Sequence, residues 1–315
     1  MARPKVLPLY VSAFIVWIIV FILSLTLGAV SGASMDLVTE LRLPRVLLAS
    51  MIGLGLSVSG AVLQAVFSNP LCEPYTLGIS SGSALGAVIG VSLGLEWMVS
   101  GLAGSAFIGA LLFTGVLFTV AKRSERNQTA LLLTGVMLSF LGSSLVALWV
   151  ALTDSNGLPS AILWLFGDLS RARLSGALVL GPSVLLISAS VWKNWRQMDA
   201  LLMGEEGAAS LGVDVPSFRR NMILLTSVLI GLCVSAGGMI GFIGLVVPHF
   251  VRRLTGSLHL HMIPLCGIWG GSVLMLADCV SRTAIRPYEL PVGIVTALIG
   301  APAFLWIMLR KPEFV

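Results

Sequence analysis

What most limits the folds open to this chain is a series of apolar stretches, each about as long as a bilayer is thick, with almost no ionisable residue inside them. A helix needs about 20 apolar residues to cross the hydrocarbon core. By that measure ten spans are expected, at 7–30, 46–67, 77–94, 99–120, 128–151, 174–192, 221–237, 239–251, 261–277 and 291–309. The eighth is shorter than a crossing normally needs, which suits a broken or tilted helix buried in protein rather than facing lipid. Charged residues make up 10% of the 315, against about 25% in soluble domains, and mean hydropathy is +1.00. The expectation is an all-α polytopic membrane protein with about ten transmembrane helices, forming one domain over residues 1–315. The run from Leu7 to Val30 exceeds the apolar core of a signal peptide and is expected to stay as the first span.

Orientation follows from Lys and Arg, which favour cytoplasmic loops. With the N-terminus inside, only Arg42, Arg45, Arg171, Arg173, Arg282 and Arg286 fall on the outer side; the other thirteen of the 19 fall inside. Both termini are therefore expected in the cytoplasm. The net charge of +5 is explained by these flanks and implies no nucleic-acid partner. Cys72, Cys233, Cys266 and Cys279 are scattered singly in or beside apolar runs. They indicate neither a metal nor a redox motif and read as small buried hydrophobes. Gly78, Gly82, Gly86, Gly90 and Gly94 recur every four residues, a stripe on one helix face that lets another backbone approach closely.

Acids are nearly absent from the spans, Asp278 coming nearest at the end of one. Ion-coupled carriers place acids, histidines or polar breaks near midplane to ligate the coupling ion. His249, His259 and His261 instead fall at the expected cytoplasmic edge, where solvated side chains are the ordinary expectation. No Gly-x-x-x-x-Gly-Lys-[Ser/Thr] phosphate loop is present. Energy for transport would then come from outside the chain, which counts against an ATPase-independent secondary carrier or channel. No sequence feature supports a structural or signalling membrane protein.

The longest polar interruption in the second half is Met203-Gly204-Glu205-Glu206-Gly207-Ala208-Ala209-Ser210-Leu211-Gly212-Val213-Asp214. Its small residues and punctuating glycines suit one or two very short helices joined by tight turns. Such a helix on the membrane surface is something a soluble partner can grip; the plainer alternative is a solvated connecting loop.

Four stretches in this order resemble the permease subunit of type II ABC importers, the FecCD-like family. They are Arg42-Leu43-Pro44-Arg45; Ser59-Gly60-Ala61-Val62-Leu63-Gln64 with Asn69-Pro70-Leu71-Cys72-Glu73-Pro74 and Leu77-Gly78; the 203–214 loop with Gly204-Glu205-Glu206 and Leu211-Gly212-Val213; and Gly241-Phe242-Ile243-Gly244-Leu245-Val246-Val247-Pro248-His249 with Arg252, followed by Ala277-Asp278, Arg282, Glu289-Leu290-Pro291-Val292-Gly293 and Gly300-Ala301-Pro302-Ala303-Phe304. The resemblance runs from about residue 42 to the C-terminus. It implies uptake of an iron–siderophore, haem or cobalamin across the cytoplasmic (inner) membrane of a prokaryote by alternating access. The implied partners are the lipid bilayer, a second permease copy (a homodimer, or a pair of homologous subunits), two ATPase subunits and an extracytoplasmic substrate-binding protein. The chain would be a transport subunit without catalytic residues, metal or cofactor of its own, ATP and Mg being held by the ATPase.

Roles carry over by position. Gly204, Glu205, Glu206, Gly207, Ala208, Ser210, Leu211 and Gly212 match the coupling helices that lodge in a cleft of the ATPase, and acids at a helix start favour its N-terminus. Arg42, Arg45 and Arg282 match outer residues that pair with acids of the binding protein; such pairs steer docking more than they add affinity. Asn69, Pro70 and Leu71 match the turn lining the cytoplasmic gate, with Gln128 and Thr129 near its companion loop. Pro159, Trp164, Phe166 and Gly167 occupy the place of a short outer helix that closes the pathway; read alone, they would be an interfacial aromatic anchor. Two departures stand out. Cys72 replaces a small residue, and Arg286-Pro287-Tyr288 is bulkier than the family's run before Glu289.

Overall fold

The computed structural model describes residues 6–28, 35–95, 101–121, 128–152 and 158–309. Among them the chain is helical almost throughout: α1 (Val6–Thr26), α2 (Met35–Leu37), α3 (Leu43–Val66), α4 (Ile79–Ser92), α5 (Gly101–Ala121), α6 (Gln128–Leu152), α7 (Leu158–Leu165), α8 (Leu174–Trp192), α9 (Trp195–Leu201), α10 (Gly204–Ser210), α11 (Val215–Gly237), α12 (Ile243–Thr255), α13 (His259–Thr283) and α14 (Val292–Leu309). The ten expected spans correspond to α1, α3, α4, α5, α6, α8, α11, α12, α13 and α14. Of the basic residues behind the orientation argument, Arg3, Lys5, Lys122, Arg123, Arg126, Arg310 and Lys311 lie outside the described residues.

Two helices are longer than the apolar runs suggested. α11 begins at Val215 rather than 221. Pro216 sits in its first turn, where a missing N–H costs nothing, and the Asp214 side chain accepts from the Ser217 backbone N–H at 3.3 Å. Arg219 lies inside this helix and is buried, because Glu205 supplies its counter-charge. α13 runs from His259 to Thr283 rather than 261–277, and its last turns carry Asp278 and Arg282 as a mutual pair. In both helices a charge that reads as the end of a span is neutralised inside the protein.

The bundle is built around α3, which is buried along nearly its whole length and packs on α13, α11, α8 and α12. Its closest approaches are glycine to glycine, Gly53 against Gly270 of α13 and Gly60 against Gly244 of α12. A Cβ on Gly53 or Gly60 would land on the partner's carbonyl. The four-residue glycine stripe is likewise used within the chain: Gly82, Gly86 and Gly90 of α4 face Gly109, Ser105 and Gly101 of α5. All four cysteines are buried free thiols. At the periphery, α1 turns Phe14, Ile15, Ile19 and Ile22 outward, as a lipid-facing helix would.

α4 and α12, with 14 and 13 residues, reach about 20 Å each, short of a ~30 Å core. Both begin inside the bundle. After α3 the chain turns back through a short 3₁₀ segment (Pro74–Leu77) and Gly78 at φ +75° into α4. After α11 it turns through Gly238 and Phe242, at φ +72° and +69°, into α12. The two returns meet beside the middle of α3, where Gly244 is wedged against Pro74 and the Leu56 carbonyl. Irregular backbone at this depth needs internal partners, and it has them. The Gln64 amide donates to the Gly244 carbonyl (3.3 Å) and accepts from Arg252 (3.0 Å). The Glu73 carboxylate accepts from the Phe242 N–H, and Ser139 donates to the Tyr75 carbonyl at 2.8 Å. The eighth span is therefore a half-helix buried in protein, as its length suggested.

Candidate functional site

The candidate residues gather at the two ends of the bundle, and α13 reaches both. Its 25 residues correspond to about 37 Å.

One end carries a hairpin of two short helices, α9 and α10, ahead of α11. The turns at Gly204 and Gly212 both lie at φ +85°, where a Cβ is disfavoured, and this lets seven residues form an isolated helix. Glu205 and Glu206 occupy the first turn of α10. Ala208 is fully buried, while Leu202, Met203 and Leu211 are exposed. The hairpin is fastened at two points. Glu205 accepts from Arg219 of α11 at 2.6 Å, an ion pair with one buried member. Asp199 of α9 accepts the backbone N–H of His259 at 2.7 Å, and the His259 Nδ1 lies 2.8 Å from the same oxygen. His259 is 1% exposed, so the expectation of a solvated histidine is corrected: it is the first residue of α13, packed under the hairpin. Sixty residues separate Asp199 from His259, and nothing local in the sequence signals the pair.

The opposite end carries Arg42, Arg45 and Arg282. None of the three extends into open solvent. They are 5%, 9% and 3% exposed. Arg42 donates to the carbonyls of Leu25 and Thr26 (2.9 and 2.7 Å), and Arg282 to those of Ser24 and Leu27 (3.1 and 3.3 Å). These are the carbonyls a helix leaves without partners at its C-terminus, so the two arginines cap α1. Arg45 instead uses its fork on carboxylates, with Nε 2.8 Å from Asp278 and Nη1 2.6 Å from Glu289. Asp278 also meets Arg282 at 3.0 Å. A cavity of about 340 Å³ opens beside the cluster, lined among others by Arg42, Arg45, Arg282, Ser170 and Glu289.

The gate candidates sit at the ends of helices. The Asn69 side chain accepts from the Leu71 N–H at 2.9 Å, forming the turn that ends α3, and leaves Pro70 and Leu71 exposed. Thr129 is exposed in the first turn of α6; the Gln128 side chain lies outside the described residues. At α7, Trp164 is 5% exposed and Phe166 is half exposed, so an aromatic anchor facing the interface does not describe the tryptophan. The carbonyls of Phe166 and Gly167 accept from Gly293 and Val292, both at 3.0 Å, which ties the end of α7 to the start of α14. Gly167, at φ +82°, packs against Met239 and Ile240 in the return before α12. The Pro159 side chain lies outside the described residues.

Comparison with known proteins covers nearly the whole chain. Residues 7–310 match the FecCD transport family. The hemin transport system permease protein HmuU of Yersinia pestis is 39% identical over 279 residues, 87% of this chain and 83% of that protein. The vitamin B12 import system permease protein BtuC of Vibrio vulnificus is 38% identical over 290 residues, 91% and 86% of the two chains. Among solved structures, one described as a metal-chelate type ABC transporter in an inward-facing conformation superposes with a TM-score of 0.88 at 31% identity, covering 96% of this chain and 98% of that one. The chain belongs to the FecCD transport family, as a membrane-embedded permease of an ABC importer.

Proposed function

We propose that this chain forms the translocation pathway of an importer for an iron–siderophore, haem or cobalamin, driven by separate ATPase subunits that hold ATP and Mg. The chain contributes no catalytic residue of its own. The hairpin end faces the cytoplasm with both termini, and a second permease copy completes the pathway. The supporting observation is the build of the hairpin. Leu202, Met203 and Leu211 are exposed in the turns that flank α10, and Glu205–Arg219 and Asp199–His259 hold the hairpin to α11 and α13. A helix so held passes a rigid-body displacement to the bundle rather than absorbing it.

At the other end, Arg45 is the guanidinium best placed to meet an acidic side chain of an extracytoplasmic binding protein, since it faces the cavity and is not used as a helix cap. Arg42 and Arg282 hold the corner of α1, α3 and α13 against which that partner docks. Movement of the hairpin and of α13 then alternately opens the turn at Asn69–Leu71, with Gln128 and Thr129, and the α7 segment containing Pro159, Trp164, Phe166 and Gly167. The relatives named for hemin and for vitamin B12 match this chain to almost the same degree, so cargo identity is left to uptake assays with each class.

The test is co-expression with the candidate ATPase, comparing the intact chain with one in which Gly204–Gly212 is replaced by a Gly/Ser segment. Both must insert in the membrane. Retention of the ATPase by the intact chain alone is the expected result. Equal retention by both removes the hairpin as the main grip, and retention by neither refutes the assignment of that ATPase as partner.

A further inference from the structure

The arginine end poses a physical question that its proposed docking role does not answer. A guanidinium meant for a partner's carboxylate would stand unpaired, in a half-buried cavity, whenever the partner is absent. Leaving a desolvated charge without a counter-ion is costly. The fold supplies two counter-ions, and they differ. Asp278 is 1% exposed in its side chain, and the Arg45 Nε and Arg282 both converge on it. Glu289 is 36% exposed in its side chain, stands on the cavity wall, and meets only the outer arm of Arg45, Nη1 at 2.6 Å. It is carried on the α13–α14 connection and not on a helix.

We propose that Glu289 is an internal stand-in for the partner's carboxylate. In the unengaged permease it occupies Arg45, and docking exchanges it for an acidic side chain of the binding protein. This rests on the docking reading above. Asp278 is the positioning residue: by holding Nε, it keeps the Nη edge of the fork turned to the cavity, and a guanidinium can serve one acid on each side. Glu289 is the exchangeable one. The net strength of docking is then the difference between two carboxylates competing for one arm. A partner without a well-placed acid gains nothing there, so the device disfavours wrong partners.

The test is a double-mutant cycle on the permease–ATPase complex in nanodiscs, measuring the Kd of the candidate binding protein. Glu289→Gln keeps the shape and removes the charge. Tightening of about five-fold is expected, the scale of a partly exposed ion pair. Arg45→Gln alone is expected to weaken docking, and Glu289→Gln added to it is expected to change nothing further. Equal tightening in both backgrounds would show a long-range charge effect and overturn the exchange. So would an unchanged or weakened Kd for Glu289→Gln while Arg45→Gln still weakens docking; in that case the docking reading survives. If Arg45→Gln itself leaves the Kd unchanged, the docking reading at Arg45 fails first. Should the Gln variants fold poorly, Glu289→Asp, one methylene shorter, and Arg45→Lys, which keeps a charge beside Asp278, run the same cycle. Glu289→Asp is then expected to tighten docking about two-fold, again only where Arg45 is present.

Discussion

The two ends of α13 treat charge in opposite ways. At the arginine end, Arg45, Asp278 and Arg282 are buried and matched to one another, and Glu289 is the partly exposed member of these ion pairs among the described residues. At the hairpin end Arg219 is buried under an exposed Glu205, and the surroundings expose large apolar side chains. The first arrangement is an electrostatic unit whose buried members are matched, which under the proposed reading a partner would enter by exchange. The second is an apolar surface on a firm mount, which under that reading a partner would enter by burial. A soluble protein that comes and goes would suit the first, and a subunit that stays attached the second.

The sharpest way to break this contrast is Asp278→Ala. It leaves two buried guanidiniums without their shared counter-ion, and stability should fall by about 3–5 kcal/mol, read as a large drop in the thermal midpoint of the purified protein. A small drop would mean that the arginine end is open to water and not matched internally. Next comes Asp199→Ala, which removes the acceptor for the His259 N–H and ring. A loss of about 1–3 kcal/mol is expected, together with weaker stimulation of ATPase turnover by the binding protein. If turnover keeps its full stimulation while stability falls, the Asp199–His259 joint is structural and does not transmit. Glu205→Ala should cost about 1–2 kcal/mol, because it takes the counter-charge from the buried Arg219, while water can enter the half-exposed place of the carboxylate. Its clearer effect is on ATPase co-purification. The smallest effect on folding belongs to Leu211→Ser, near zero in thermal midpoint, since the side chain already meets solvent. It should nevertheless lower ATPase affinity, measured by titration in nanodiscs. A destabilised but fully ATPase-competent Leu211→Ser would reverse the assignment of that surface.

Much of the architecture was legible in the order of residues. Ten apolar runs became ten helices, the short eighth run became a half-helix, and the glycines at 204 and 212 bracket a short helix. The misjudged ends have one cause. Arg219, Asp278 and Arg282 look like edges of a span when hydropathy is read residue by residue, and only their partners show that they are inside. His259 was expected to be solvated for the same reason, because its acid is on another helix. Glu289 and Asp278 belong to the motifs that carry the resemblance, yet nothing in those motifs says that one is buried and the other exchangeable.

What the sequence determined by itself is what depends on neighbours along the chain. Helices follow from apolar length, because a bilayer leaves the backbone no other local way to satisfy its hydrogen bonds, and the family follows from motifs in order. Only the tertiary structure decided which glycines meet, why α4 and α12 start mid-bundle, and which carboxylate answers which arginine. Those depend on contacts between residues tens to hundreds of positions apart. The strength of a charge pair is set by its burial and geometry, and one-dimensional order records neither.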